Sequence, residues 1–256
     1  MRIASWNVNS VRARLDRLVD YLATRRPDVL CLQETKCRDE QFPYAAIEAA
    51  GYRAAHHGQP TYNGVAILAR APLEDAVAGL QDDEDDPQAR VIAATVGGVR
   101  VVCVYAPNGQ AVGADAYAYK LAWYGRLRRY LDRRHAPAEP LVLTGDFNVA
   151  PEDRDVHDPA GWAGGVLVSA PERAALRDIC DFGLIDTFRQ HHQEAGRYSW
   201  WDYRRLAFPR NAGLRIDHLL ATPPLAARCT AADIDREARK GQQPSDHAPV
   251  WAEFDR

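Results

Sequence analysis

Short apolar runs alternate with amphipathic stretches from one end of the chain to the other. Residues 3–6, 29–32, 65–69, 91–96, 99–105, 141–144, 214–220 and 248–254 are compact, often β-branched and flanked by polar residues, which predicts strands. Residues 11–24 repeat apolar side chains at helical spacing (Val11, Leu15, Leu18, Val19, Leu22) and stop before Pro27, which predicts a helix. Residues 117–135 predict a second helix and 171–182 a third, with Ser169 available as a cap. Thr95-Val96-Gly97-Gly98-Val99-Arg100 reads as a hairpin turn between two strands.

Two coarse halves emerge, about 1–136 and 137–256, with the break in the Pro-bearing stretch 135–140. Each opens with a strand that ends in a polar, Asn-bearing turn: Ser5-Trp6-Asn7 in the first, Gly145-Asp146-Phe147-Asn148 in the second. The expectation is one α/β domain of two similar β-rich halves with helices outside.

Composition narrows the class. At 256 residues, with 46% hydrophobic and 26% charged content, the chain has the make-up of a soluble globular protein that can bury a core and shape a cleft. No stretch approaches 18 consecutive apolar residues, so no membrane span is expected. The start lacks a basic-then-apolar leader, and the five cysteines form no C-x-x-C or Cys/His cluster, so a cytoplasmic protein without disulfides is expected. Cys103, within Val101-Val102-Cys103-Val104, reads as a small buried hydrophobe.

The net charge of −3 argues at first against a polyanionic partner, but Asp82-Asp83-Glu84-Asp85-Asp86 concentrates five acids in one loop. Setting these aside turns −3 into +2 and leaves arginine clusters at 12–17, 126–134, 204–205 and 236–240. Such clusters can track a phosphate backbone, although the helical spacing of the 126–134 set suits a solvated helix face.

Candidate chemistry sits where strands end: Asn7, Glu34, Asp146, Asn148, Asp217, Asp246 and His247. Asn and Asp commonly serve turns, but seven such placements together suit a cleft carried by a rigid sheet. Glu34 offers a carboxylate to a hard cation such as Mg²⁺. Asp146 and Asn148 alternate along one extended segment, so both can face one cleft. Asp217 occupies a strand position that would be apolar if buried and therefore needs a partner, for which His247 is the natural choice.

The motifs Trp6-Asn7-Val8-Asn9-Ser10, Leu32-Gln33-Glu34-Thr35-Lys36, Tyr62-Asn63-Gly64-Val65, Tyr105-Ala106-Pro107-Asn108, Gly145-Asp146-Phe147-Asn148, Leu214-Arg215-Ile216-Asp217 and Ser245-Asp246-His247 resemble, in order, those of the exonuclease III family of AP endonucleases, in the endonuclease/exonuclease/phosphatase superfamily. They span nearly the whole chain. The resemblance implies a four-layer α/β sandwich, two mixed sheets face to face with helices outside. It implies Glu34 as principal Mg²⁺ ligand with Asn7 beside it, and Asp246 as tied to the metal or the attacking water; Mn²⁺ can substitute. It also implies Asp146 as water-activating base, Asn148 as the amide on the scissile phosphate, and His247 oriented by Asp217 against the phosphoryl oxygens. Tyr105 is implied as a phosphate contact and Asn108 as a backbone contact.

Tyr198-Ser199-Trp200-Trp201 and Gly213-Leu214-Arg215-Ile216 resemble the family's damage-recognition segments, with Trp200, Leu214 and Ile216 lining an apolar slot for a flipped, base-less sugar. Trp201 is expected to face the other side. The acidic run is expected to point away from a duplex, while Arg90 just after it reaches a phosphate.

The implied activity is a Mg²⁺-dependent DNA repair nuclease that cuts 5′ to abasic sites and trims 3′ ends. Its partner is double-stranded DNA with abasic sites or 3′ ends; a monomer without membrane or obligate protein partner is expected. The irregular segment 153–167 is where the balance between abasic sites and 3′ ends would be set. A phosphodiesterase or phosphatase for a non-nucleic phosphoester is the main alternative, opposed by the slot and the arginine clusters. A non-catalytic DNA-binding scaffold would have lost part of the acid/His set, and none is lost.

Overall fold

The computed structural model describes residues 1–82, 84 and 86–255. Its strands in chain order are β1 (Arg2–Asn7), β2 (Val29–Gln33), β3 (Arg53–His57), β4 (Val65–Ala69), β5 (Glu74–Ala78), β6 (Val91–Val96), β7 (Val99–Tyr105), β8 (Leu141–Asp146), β9 (Ile185–Asp186), β10 (Asp217–Ala221), β11 (Cys229–Ile234) and β12 (Val250–Phe254). The helices are α1 (Leu15–Arg25), α2 (Tyr44–Ala49), α3 (Asp115–Arg134), α4 (Pro159–Trp162), α5 (Ala170–Cys180), α6 (Thr187–His191) and α7 (Pro223–Ala226).

The strands form two six-stranded mixed sheets, ordered β11-β12-β1-β2-β4-β3 and β5-β6-β7-β8-β10-β9. Each contains one parallel pair, β1 with β2 and β7 with β8. Both sheets draw strands from both halves of the chain, so the N-terminal β1 lies beside the C-terminal β12. The sheets face each other across a core that includes Ile3, Val29, Ile67, Val101, Val142 and Leu219. Trp123, Leu127, Leu131, Leu176 and Ile179 of α3 and α5 cover the outer face of one sheet. Leu18 and Leu22 of α1, with Ile47 of α2, cover the other. The result is the four-layer sandwich.

The expected strands are present, with shifted ends. The run 214–220 becomes strand only from Asp217, because Leu214 bridges to Val156 and Trp200 and Arg215 N–H donates to the Asp155 carbonyl at 2.9 Å. The helix expected from residue 11 begins at Leu15. Asn9 and Ser10 adopt φ of 46° and 86°, and the N–H groups of Ser10 and Val11 donate to the carbonyls of Glu34 and Thr35 at 2.7 and 3.1 Å. Those backbone groups bind the β2 turn instead of opening a helix. Ser169 caps α5, its hydroxyl oxygen accepting from Glu172 N–H at 3.4 Å.

Arg126 of α3 pairs with Asp82 and Asp86 at 2.7 and 2.6 Å, so the ends of the acidic run are neutralised against that helix. Asp83 and Asp85 lie outside the described residues. All five cysteines are free, with Cys103 fully buried. Among the described residues, no helix is long and apolar enough to cross a membrane.

Candidate active site

The register of the second sheet sets three site residues in a row. Tyr105 pairs with Asp146 across β7 and β8, and Asp146 pairs with Asp217 across β8 and β10. Gly145 makes this approach possible: its φ is +150°, and a Cβ there would lie 1.8 Å from the Val104 carbonyl oxygen. His247 arrives from the turn before β12. Ser245 anchors that turn by donating to the Asn7 carbonyl at 2.6 Å and accepting His247 N–H at 3.2 Å. Trp6 Nε1 donates to the His247 carbonyl at 3.1 Å.

The imidazole lies between two carboxylates. His247 Nδ1 donates to Asp217 Oδ2 at 2.9 Å, and Nε2 stands 3.7 Å from Asp146 Oδ2. Burial presses the ring toward its neutral form, but Asp217 and Asp146 outweigh that and raise its pKa to about 10. Burial pushes Asp146 up to about 7, against the pull of His247. Burial also raises the Tyr105 phenol well above its ordinary range, with the charges of Glu34 and Asp146 adding to it. A held imidazolium beside a carboxylate that titrates near neutrality is an arrangement suited to acid–base work.

Glu34, Asp146 and His247 each place a ligand-type atom within 4.8 Å of the others. Glu34 has a left-handed φ of 52° and lies 2.8 Å from Lys36 Nζ. Asn7 Nδ2 donates to Glu34 Oε1 at 2.8 Å and to Asp146 Oδ2 at 2.9 Å, while its Oδ1 accepts Asn9 N–H at 3.0 Å. Asn7 therefore lies beside Glu34, as expected, and ties the two carboxylates together. Asp246 is outside the mutually close set: its oxygens accept from Asn9 Nδ2 at 2.9 Å and Trp200 Nε1 at 3.0 Å. Burial would raise its pKa, but His247 and these two hydrogen bonds hold it below the ordinary carboxylate range. With His247 protonated, the Glu34 carboxylate, with Asp146 close by, gives the site the oxygen-rich character that suits a hard divalent cation keeping several waters.

Asn148 N–H donates to Asp146 Oδ1 at 2.9 Å, so the two side chains share one turn. Its Nδ2 donates to the Ala106 carbonyl at 3.0 Å, and its Oδ1 accepts from Asn108 Nδ2 at 3.0 Å. Tyr105, Asn108 and Arg90 line a cavity of about 480 Å³ next to this amide pair. Arg90 is only 9% exposed, with Nε donating to Gln88 at 2.8 Å and NH1 to the Tyr105 carbonyl at 3.1 Å. Its guanidinium lies 4.8 Å from the Tyr105 ring centre. Arg90, expected to reach a phosphate, thus braces Tyr105 while lining that cavity.

A family model described as the endonuclease/exonuclease/phosphatase family matches residues 4–247. The chain belongs to this family. Exodeoxyribonuclease III of Haemophilus influenzae is 37% identical over 266 residues, covering 99% of this chain and 100% of that protein. A solved structure of the 3′ phosphatase NExo from Neisseria, a substituted form bound to a product DNA hairpin, is 45% identical with a TM-score of 0.96. An AP endonuclease from Archaeoglobus fulgidus is 38% identical with a TM-score of 0.97, and both structures are covered over 100% of either chain.

In this member of the endonuclease/exonuclease/phosphatase family, Trp200, Leu214 and Ile216 do share one apolar cluster. Leu214 and Ile216 are 0% and 2% exposed, so they form the packed back wall, and half-buried Trp200 is the one that reaches the surface. The cluster also contains Val156, Leu167 and Val168 from the irregular segment and its flank, with Trp162 edge-on to Trp200 at 6.5 Å. Trp201 faces the intersheet core, as expected, and donates to Asn211 Oδ1 at 3.2 Å.

Sequence reasoning missed the supports of the site. Ser199, fully buried, donates to Asp217 Oδ2 at 2.6 Å and accepts the N–H groups of Ile216 and Asp217, both at 3.1 Å. Asp155 accepts Arg215 Nε at 2.6 Å and fixes the irregular segment beneath the cluster. Nothing in a lone serine, or in an arginine between two apolar residues, marks such roles.

Proposed function

We propose that this single-domain chain is a Mg²⁺-dependent DNA repair nuclease of the exonuclease III type, hydrolysing the phosphodiester 5′ to abasic sites and trimming 3′ ends in base excision repair. The observation that carries the reading is the buried Asp217–His247–Asp146 row beside Glu34. Its full-length relatives named for exonuclease III, AP endonuclease and 3′ phosphatase chemistry support it. A cytoplasmic protein acting on duplex DNA as a monomer, without an obligate protein partner, completes the reading.

Glu34 would be the principal holder of the divalent cation, which when bound neutralises charge on the phosphoryl and departing oxygens. His247, kept protonated by Asp217, presents Nε2–H toward the cleft as a fixed cationic donor for a phosphoryl oxygen. Asp146 accepts the proton of the attacking water; the new P–O bond forms as the P–O3′ bond breaks. Asn148 and Asn108 hold the phosphate and the adjoining backbone, and Tyr105 offers a phenol kept neutral by burial. Trp200 marks the mouth of the slot, where a base-less sugar gives up less stacking and pairing on extrusion than an intact nucleotide does.

Glu34→Gln and His247→Asn test this directly. Each should abolish cleavage of abasic duplex DNA while leaving duplex binding measurable; cleavage equal to the parent in either variant would sink the reading. Equal turnover of a small non-nucleic phosphoester and of DNA by the parent would favour the alternative substrate class.

A further inference from the structure

Beneath the amide pair lies a buried ion pair that the mechanism does not use. Lys120, on α3, and Glu172, in the first turn of α5, both have fully buried side chains. Lys120 Nζ donates to Glu172 Oε1 at 2.5 Å, to the Asn148 carbonyl at 2.7 Å and to the Asn108 carbonyl at 3.1 Å. Three donors thus meet three acceptors, and the ammonium is satisfied. Gly109, at φ +91°, leaves room for the stem, since a Cβ there would come 3.1 Å from Lys120 Cδ. Glu172 in turn accepts the N–H groups of Leu167 and Ser169 at 3.0 and 3.1 Å.

Stability does not account for this pair, because apolar side chains of similar volume commonly serve as well as a buried ion pair. What the ammonium does, and a methyl group cannot, is draw the backbones of Asn108 and Asn148 to one point. Their side chains meet directly above it, Asn108 Nδ2 donating to Asn148 Oδ1 at 3.0 Å. Through Glu172 the same centre holds Leu167, part of the apolar cluster behind Trp200.

We infer that Lys120, held by Glu172, is a positioning residue that aims the Asn108 and Asn148 amides at the phosphate and locks that aim to the wall of the slot. The inference rests on the proposed function, in which those amides contact DNA. Lys120 itself touches no substrate.

The test replaces both partners in the full chain, Lys120→Met with Glu172→Met, because Lys120→Met alone strands a buried carboxylate and unfolds the protein for an unrelated reason. Steady-state cleavage of abasic duplex with Mg²⁺ is read beside thermal unfolding, in the parent and in an Asn148→Ala background. The double variant should unfold cooperatively and lose about ten-fold or more in kcat, with KM changed far less. In the Asn148→Ala background the same replacement should cost clearly less than in the parent, because one of the two amides it aims is gone. A folded double variant with parental kcat, or an equal loss in both backgrounds, overturns the inference. A parent that cleaves no DNA refutes the proposed function itself, and that outcome is read before any variant is compared.

Discussion

Asp217 stands opposite Asp146 in the antiparallel register of β10 and β8, and the His247 ring joins them, bonded to the first and 3.7 Å from the second. Two buried carboxylates on adjacent strands would repel, and the imidazolium between them makes the pairing tolerable. The same geometry sets the protonation states that hydrolysis needs.

Removing the Asp217 charge should therefore shift the pH dependence. His247 loses its proton near pH 10 in the parent, so a rate that needs the imidazolium falls as pH rises through that value. Asp217→Asn removes the strongest of the opposing charges, lowers the imidazole pKa and brings the alkaline limb of kcat toward neutrality. With the limb near pH 7, the rate at pH 8 should fall by about ten-fold, one pH unit above the imidazole pKa. An unmoved limb in the pH–rate profile would show that Asp217 does not set the charge of His247.

Ser199→Ala should cost stability and activity together. The hydroxyl serves Asp217 and two backbone N–H groups, all buried, so its loss leaves donors unpaired at a cost of about 1–3 kcal/mol. Urea unfolding measures that cost. The kcat loss should be smaller than for Asp217→Asn, because the carboxylate remains.

His56 should make the fold acid-sensitive independently of catalysis. Burial lowers its pKa to about 4, although nearby Asp39 pulls the other way; Nε2 contacts Thr35 Oγ1 at 2.8 Å and Nδ1 faces Asp39 at 2.8 Å. A histidine depressed in the folded state contributes stability above its unfolded value near 6.5, and that contribution is lost as pH falls from there toward 4. The loss is on the order of 1–3 kcal/mol. In His56→Gln the unfolding free energy should fall less steeply between pH 6.5 and 4.5; equal slopes for both proteins would contradict this.

How far the chain could be read in advance follows from burial. The expected strands include β1, β2, β4, β7, β8 and β10, buried throughout or nearly so and therefore almost continuously apolar. The four strands that were not expected, β3, β5, β9 and β11, are the four sheet edges. Their residues alternate with solvent or run polar, as in Glu74–Ala78, so no apolar run announces them. Asp146, Asp217 and His247 were legible because a carboxylate or imidazole at a strand end has no business in an apolar core without a partner. Lys120, Glu172 and Asp155 were not, because a charged residue in a polar stretch reads as solvated until the fold buries it.

The central claim is tested most directly with a labelled duplex oligonucleotide carrying one stable abasic analogue, incubated with Mg²⁺ or with EDTA. A single cut on the 5′ side of the lesion, present with Mg²⁺ and absent with EDTA, is the predicted result. No cleavage in either condition, or cleavage that EDTA leaves unchanged, would contradict it.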